Sequence, residues 1–280
     1  MNMNFLFCIN NKYCDVIKIV MHSICMNNFG SHCFYFIYAD ISEFNQQKIF
    51  NYAQSLRCSV VFRKFSKDIT ELPINGNNWS IEVYFRLFAC YLLHDVDKVL
   101  YLDGDVICNG NLTELYQMND TLCAVENDDQ SACRRLDLST KYYNAGVLMM
   151  NLKKMRRMYT EEIIQTELFR LKNKLRFQDQ DFINVKYGHV IKPVSKKYNY
   201  MISVAEVNKN YSKELSPILI HYVMEKPWNI KFPYKTDFPY FKSMWKCKKR
   251  LLGGVIRLYI LHRLYRIYQL TIVSKEGRKI

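Results

Sequence analysis

Two carboxylates separated by one glycine carry the strongest chemical signal in the sequence. Asp103-Gly104-Asp105 follows the mostly apolar segment Lys98–Leu102, which is typical of a buried strand. Alternate residues of an extended chain point to one side, so both carboxylates lie together where the strand ends, and Gly104 leaves room for a ligand. Ligands of open α/β sheets gather at the carboxyl ends of strands, and paired oxygen donors suit Mg²⁺ or Mn²⁺ shared with a phosphate. An ordinary Asp-Gly turn is the alternative.

A histidine late in the chain is a candidate additional ligand. His221 follows the apolar run at residues 218–220 and precedes Lys226-Pro227-Trp228. A lone histidine beside an apolar strand is more often a hydrogen-bonded core residue than a ligand. Two observations favour the ligand interpretation. The nearby lysine and tryptophan can contact a phosphate, and the metal needs a third ligand.

The elements that must position these residues follow an α/β pattern. Short β-rich apolar runs alternate with helical spacings, as in the βαβ units of a parallel or mixed sheet. The predicted strands cover residues 3–9, 33–38, 59–62, 98–102, 143–151 and 218–222. The predicted helices cover residues 16–25, 42–56, 84–92 and 152–175. The sequence has neither a repeat nor a long linker, so we expect one α/β domain over residues 1–245.

The positive charge is concentrated in a C-terminal appendage, residues 246–280. Of the net charge of +14, this appendage carries +9, from ten basic residues and one acid, which leaves +5 for residues 1–245. Its apolar runs are too short to span a membrane, but mixed Arg, Tyr and Leu suit an anionic membrane surface. A basic helix packed on the main domain or on a partner protein is the alternative. No zinc-finger, RNP or basic-zipper pattern supports nucleic acid as the acidic partner.

The cysteines indicate a reducing compartment. Ten are present without C-x2-C spacing, and the N-terminus has neither the apolar length nor the basic residue of a secretory signal. We therefore expect a cytoplasmic location, buried thiols and no structural zinc.

Six blocks of sequence, taken in order, resemble one known family. They are residues 7–13, 84–87, 98–105, 143–152, 177–181 and 221–228. In these blocks, which extend across roughly residues 1–230, the chain resembles glycosyltransferase family 8, which includes bacterial lipopolysaccharide galactosyl- and glucosyltransferases and glycogenin. The resemblance implies a GT-A fold, Rossmann-like with a mixed sheet, a UDP-sugar donor, Mn²⁺ or Mg²⁺, and transfer with retention of anomeric configuration.

The resemblance also implies roles for individual residues. Asp103 and Asp105, on either side of Gly104, match the family's D-x-D metal ligands, and His221 matches its third protein ligand. Other positions match contacts to the donor: Asn10, Asn11 and Tyr13 at the uracil and ribose, Arg86 near the donor sugar and diphosphate, Asn144, Asp179 and Gln180 at the hexose or beneath its reacting carbon, and Lys226 at a phosphate. For Asn11 a capped turn between strand and helix is the alternative.

This chain departs from the family in two places. The family often has acidic residues where this chain has Asn10 and Asn11, and its H-x-x-G-x-x-K-P-W motif is here one residue shorter and lacks the glycine. Retaining hydrolases commonly use a carboxylate nucleophile, whereas Gln180 is a neutral amide. We therefore expect front-face displacement, in which the departing phosphate helps to deprotonate the acceptor hydroxyl.

These features predict a Mn²⁺-dependent retaining transferase that moves galactose or glucose from a UDP-hexose to a surface glycan such as lipopolysaccharide or capsule. We also expect a lipid-linked acceptor, and peripheral attachment of the protein to the inner face of the cell membrane through residues 246–280. Two alternatives remain: a catalytically silent UDP-sugar-binding protein, suggested by the shortened loop after His221, and a basic membrane or nucleic-acid adaptor that reuses the fold.

Overall fold

The computed structural model describes residues 1–74, 80–127, 129–202, 216–223, 226–228 and 238–248. The chain divides into two compact units. The first comprises Met1–Tyr200 with Pro217–His221, and the second comprises Met201–Ser216 with Tyr222–Ile280. The predicted boundary between residues 245 and 246 stays a prediction, because residues 249–280 of the appendage lie outside the described residues.

Strands in the described part of the chain form two sheets. They are β1 (Asn4–Cys8), β2 (Cys33–Tyr38), β3 (Ser59–Lys64), β4 (Lys98–Leu102), β5 (Val106–Cys108), β6 (Leu122–Val125), β7 (Val147–Asn151), β8 (Ile191–Val194), β9 (Tyr200–Met201) and β10 (Leu219–His221). The helices are α1 (Val16–Asn27), α2 (Glu43–Ser55), α3 (Ala89–Leu92), α4 (Thr113–Gln117), α5 (Gln130–Leu136), α6 (Leu152–Met158), α7 (Glu161–Leu171), α8 (Gln178–Tyr187) and α9 (Phe238–Lys248).

The larger sheet is mixed, as predicted. Its strand order is β3-β2-β1-β4-β7-β6-β8. The pairs β1–β2, β2–β3, β1–β4 and β6–β8 are parallel, whereas β7 runs antiparallel to β4 and to β6. The carboxyl ends of β1 to β4 therefore lie at one edge of the sheet, and Asp103 follows β4 at that edge.

Continuous apolar strands explain why this sheet lies in the core. Phe5, Leu6 and Phe7 of β1 are fully buried, and the apolar residues of β7, Val147–Met150, are at most 2% exposed. A strand that is covered on both faces has no solvent-facing side to carry polar residues, which accounts for the apolar runs seen in the sequence. The ends of these strands are consequently held by a rigid centre.

The smaller sheet brings the candidate histidine to the candidate aspartates. Its order is β5-β10-β9, and β10 pairs antiparallel with β5. In that register His221 lies opposite Val106, the residue directly after Asp105. The pairing therefore joins two parts of the chain that are far apart in sequence.

The prediction of one continuous helix over residues 152–175 is wrong. The segment is divided into α6 and α7, followed by a short 3-10 helix, Lys172–Lys174. Tyr159 is extended between them, and the Thr160 hydroxyl accepts a hydrogen bond from the Ile163 N–H at 3.3 Å. A threonine cap followed by two glutamates in the first turn is a helix start signal, which interrupts the apolar spacing.

The predicted helix over residues 84–92 also differs in type. A 3-10 helix, Ile81–Phe88, precedes the single α-helical turn of α3. Six of the eight residues of this 3-10 helix are buried, including Arg86. Packing on several sides, and not one apolar face, therefore determines the type of helix. The strands β5, β6 and β8 were not predicted, because runs of three or four residues leave too short a pattern.

The second unit has its own aromatic contacts. The Tyr240 ring of α9 lies 5.5 Å from Trp228 and 6.2 Å from Tyr222, measured between ring centroids. Among the described helices, none combines the length and the apolar composition that crossing a membrane requires.

Candidate functional site

Asp103, Asp105 and His221 converge where β4 ends. His221 Nε2 lies 3.3 Å from Asp105 Oδ1 and 3.6 Å from Asp103 Oδ2, and one donor atom from each residue lies within 4.8 Å of the others. Tyr101 donates a hydrogen bond to Asp103 Oδ1 at 2.6 Å. Two carboxylates and an imidazole at this spacing form a donor set able to hold one divalent cation.

The orientation of the His221 ring leaves Nε2 for a metal. Asn199 uses its amide N–H to donate to Asn144 Oδ1 at 2.8 Å, which makes Asn199 Oδ1 an acceptor. His221 Nδ1 lies 2.9 Å from that oxygen and therefore donates to it. The proton on Nδ1 leaves the Nε2 lone pair directed at the two aspartates, as in metal-ligating histidines that are oriented by an outer partner.

Gly146 allows this close approach. A β-carbon at Gly146 would lie 2.1 Å from His221 Cε1 and 2.8 Å from Asp103 Oδ2. The backbone of the same residue accepts a hydrogen bond from the Asp103 N–H at 2.8 Å. Gly104 has a similar constraint, since its β-carbon would lie 2.7 Å from the Tyr13 ring.

Arg86 links Asp103, one of the candidate metal ligands, to the carboxylate of Asp179. It is only 4% exposed, with Nη1 at 3.1 Å from Asp103 Oδ1 and Nε at 2.9 Å from Asp179 Oδ2. Its guanidinium also lies over the Tyr101 ring, 4.2 Å from the centroid. Burial disfavours the charged guanidinium, but the two carboxylates raise the pKa of Arg86, which keeps its positive charge inside the site.

Asp179 is itself buried. Burial raises its pKa from 3.8 to about 7, Arg86 opposes the rise, and the charge on Asp103 adds to it. A carboxylate held beside a buried guanidinium can accept a hydrogen bond from a ligand hydroxyl.

Gln180 is held by hydrogen bonds on both ends of its amide. Its Oε1 accepts from Asn144 Nδ2 at 3.0 Å and from the Ala145 N–H at 3.1 Å. Its Nε2 donates to the Tyr142 hydroxyl at 3.0 Å. The structure thus brings Gln180, Asn144, Asp179 and Arg86 close to the three candidate metal ligands, and the roles of these residues stay predictions.

The proposed nucleotide residues lie in the loop after β1. Asn10 Nδ2 donates to Ser80 Oγ and to Glu82 Oε2, both at 3.3 Å. Asn11 donates to the Asp40 carbonyl at 2.7 Å and accepts from the Ser42 N–H at 3.0 Å. The side chain of Asn11 therefore ties the loop after β1 to the segment before α2. The turn after β1 is capped by Asn10, whose Oδ1 accepts from the Lys12 N–H at 3.1 Å.

Tyr13 and Lys226 have different surroundings. Burial, together with the charges of Asp105 and Asp103, raises the pKa of Tyr13 above its usual range. Lys226 lies in the second unit, where its Nζ donates to the Tyr222 carbonyl at 2.7 Å. Contacts of either residue with a nucleotide or phosphate stay predictions.

Three residues of the site were not singled out from the sequence. Asn199 orients His221, Tyr142 holds Gln180, and Asp181 accepts from the Tyr142 hydroxyl at 2.6 Å. Asp181 and Tyr142 lie in or beside the matched blocks, but their roles depend on contacts between α8 and the segment before β7. Sequence spacing does not report such contacts.

Residues 4–231 match a family described as Glycosyl transferase family 8. The chain belongs to glycosyltransferase family 8. This confirms the resemblance drawn from the six blocks, and it makes the protein a glycosyltransferase.

Known proteins agree with this membership. A lipopolysaccharide 1,2-glucosyltransferase of Escherichia coli K12 is 29% identical over 270 residues, which cover 87% of this chain and 79% of that protein. A lipopolysaccharide 1,3-galactosyltransferase of Salmonella typhimurium LT2 is 27% identical, over 61% of this chain and 56% of that protein. The crystal structure of galactosyltransferase LgtC with donor and acceptor sugar analogs superposes with a TM-score of 0.77 at 22% identity, covering 88% and 96% of the two chains. The GT-A fold is thereby confirmed.

Replacing Gly146 with alanine is expected to weaken metal binding at least about tenfold, because the new methyl group displaces His221 or Asp103. Isothermal titration with Mn²⁺ as the probe measures the change. Gly110→Ala is the matched control, since its β-carbon meets only the Ile218 side chain and backbone, at 3.2 Å or more. Unchanged Mn²⁺ affinity in Gly146→Ala contradicts the site.

Replacing Asn199 with alanine is expected to lower Mn²⁺ affinity by about 10–100-fold, because the acceptor that orients His221 is lost. Asn199→Asp keeps an acceptor for Nδ1 and should bind more tightly than Asn199→Ala in the same titration. Equal affinities for the two variants show that the hydrogen bond to His221 Nδ1 does not orient the ligand.

Proposed function

We propose that the protein is a metal-dependent retaining hexosyltransferase that uses a UDP-sugar as donor. The observation that carries this proposal is the convergence of Asp103, Asp105 and His221 within 4.8 Å at the end of β4, with His221 presenting Nε2. Family membership supports the reaction class, and the geometry supports the placement of the donor's diphosphate beside these three residues.

The residues present fit Mn²⁺ or Mg²⁺. Two carboxylates suit both ions, and the added imidazole favours Mn²⁺, which accepts oxygen and nitrogen donors. When bound, such an ion offsets the negative charge that develops on the departing UDP. Asp103 and Asp105 supply the anionic charge that retains the ion, and His221 completes the set.

Buried residues on the other side of the site handle the transferred hexose. Asp179 accepts bonds from sugar hydroxyls, and Arg86 holds that carboxylate at 2.9 Å while keeping contact with Asp103. Asn144 and Gln180 are fixed to each other at 3.0 Å, so they present a rigid polar surface beneath the anomeric carbon.

The environment of Gln180 favours front-face displacement. Its oxygen already accepts two hydrogen bonds, which lowers its power as a nucleophile, so a covalent intermediate on this residue is disfavoured. In the displacement that we propose, the bond from the anomeric carbon to the acceptor oxygen forms as the bond to phosphate breaks. The proton of the acceptor hydroxyl passes to the departing phosphate oxygen, and the sugar keeps its configuration.

The names of the relatives guide the choice of sugar and acceptor. They include a lipopolysaccharide glucosyltransferase and a lipopolysaccharide galactosyltransferase, so we propose UDP-glucose or UDP-galactose as donor and a surface glycan, lipopolysaccharide or capsule, as acceptor. Asn10, Asn11 and Tyr13 are assigned to the nucleoside and Lys226 to a phosphate. A lipid-linked acceptor is consistent with peripheral attachment on the cytoplasmic side of the membrane through residues 246–280.

Release of UDP from a panel of UDP-sugars, with and without Mn²⁺, tests this function without knowledge of the acceptor. We expect metal-dependent release from one hexose donor, and a loss of at least about 100-fold in Asp105→Ala, because one anionic ligand is removed. Asp95→Ala, at an exposed aspartate outside the site, should retain wild-type release.

Two results would contradict the proposal. Binding of UDP without release from any donor indicates a silent sugar-nucleotide-binding protein. Release that is equal with and without Mn²⁺, or equal in Asp105→Ala and wild type, removes the metal from the reaction.

A further inference from the structure

A cavity of about 750 Å³ lies beside the start of α8 and is lined mainly by basic side chains. Four of its seven lining residues are Arg135, Lys172, Lys174 and Arg176, and none of the seven is acidic. The cavity is an open depression at the protein surface. Asp103, Asp105 and His221 do not line it, so the cavity is separate from the proposed metal site.

Arg135 is rigidly placed at this cavity. Its Nη1 and Nη2 contact Asp181 Oδ2 and Oδ1, each at 3.0 Å, and Asp181 is fully buried. Its Nη1 also donates to the Lys174 carbonyl at 2.7 Å. A two-point pair with a buried carboxylate fixes the plane of the guanidinium, which leaves its remaining N–H groups in a defined direction.

The other cations are exposed or weakly paired. Lys174 and Arg176 are exposed, and Lys172 pairs at 2.9 Å with Glu71, whose side chain is 72% exposed. An ion pair this open to water contributes little, so Lys172 can turn towards an anion in the cavity at small cost. The cluster therefore combines one fixed guanidinium with cations that are more open to solvent.

The cavity is connected to the reacting amide. Arg135 binds Asp181, Asp181 accepts from the Tyr142 hydroxyl at 2.6 Å, and that hydroxyl accepts from Gln180 Nε2 at 3.0 Å. Three hydrogen bonds thus separate the cavity wall from the residue assigned to the anomeric carbon. The wall of the cavity is thereby linked to the proposed transfer site through buried side chains.

We propose that this cavity binds a phosphate group carried by the glycan acceptor. The inference rests on the proposed function and names the class of acceptor, a phosphorylated glycan. An arginine fork and flexible lysines are the side chains that bind phosphate. The donor's own diphosphate is assigned to the metal ligands. Carboxylates already pair with Arg135 and Lys172, and Lys174 and Arg176 add two further cations at the cavity, so we expect a second anion here.

Calorimetric titration of the full chain tests the cavity directly. Glucose 6-phosphate is the probe, glucose and inorganic phosphate are its comparisons, and EDTA is present so that no divalent metal recruits phosphate. Lys174→Gln with Arg176→Gln removes two cations of the cavity. Arg157→Gln with Lys192→Gln makes the same change in charge at two exposed positions outside it.

We expect the wild-type chain to bind glucose 6-phosphate at least about tenfold more tightly than glucose, because charge-assisted hydrogen bonds contribute that much. The cavity variant should lose at least about tenfold in affinity for glucose 6-phosphate, while the control variant stays close to wild type. Near-UV circular dichroism verifies that both variants are folded.

Four results would overturn the inference. They are equal binding of glucose and glucose 6-phosphate, an unchanged cavity variant, competition by UDP, and tighter binding of inorganic phosphate than of the sugar phosphate. Binding to phosphatidylglycerol vesicles that depends on Lys174 and Arg176, without binding of the sugar phosphate, assigns the cavity to a lipid surface and also contradicts it.

Release of UDP by the wild-type chain separates the two proposals. Release without cavity-dependent sugar-phosphate binding contradicts this inference and leaves the transferase standing. Sugar-phosphate binding without release of UDP from any donor contradicts the transferase.

Discussion

The close approach of the Gly146 backbone, the His221 ring and the Asp103 carboxylate is the constraint on which the rest of the site depends. A single methyl group at Gly146 would occupy the space of His221 Cε1, at 2.1 Å. The antiparallel pairing of β7 with β4 sets this distance. In that pairing Val147 lies opposite Leu102. The next two residues, Gly146 and Asp103, are joined by a backbone hydrogen bond of 2.8 Å. The sheet register thus decides whether three metal ligands can meet.

Buried polar groups extend outward from that contact in one continuous series. His221 binds Asn199, Asn199 binds Asn144, Asn144 binds Gln180, Gln180 binds Tyr142, and Tyr142 binds Asp181. Buried polar groups are costly unless each has a partner, so a satisfied series of this length restricts the site to one arrangement. The candidate metal ligands and the residues that we assign to the hexose are thereby positioned together, although they belong to different elements.

Local pattern predicted much of the fold. The strands at Cys33–Tyr38 and Lys98–Leu102 were predicted with their observed bounds, since buried parallel strands leave uninterrupted apolar runs. The break at Tyr159 and the 3-10 helix at Ile81–Phe88 were missed, because caps and packing on several sides override an apolar spacing. Ordered blocks predicted residues that lie together at the candidate site, but not Asn199, whose contact with His221 follows from the meeting of distant chain segments. No local pattern reports that meeting.

Diffraction at the manganese absorption edge, from crystals grown with Mn²⁺ and UDP, would locate the metal ion in the protein. We expect an anomalous peak within bonding distance of Asp103, Asp105 and His221 Nε2, with the UDP phosphates completing the coordination. His221 Nδ1 should remain within hydrogen-bond distance of Asn199. A Mn²⁺ peak elsewhere, or UDP bound with no peak between these three residues, would show that they do not form the metal site.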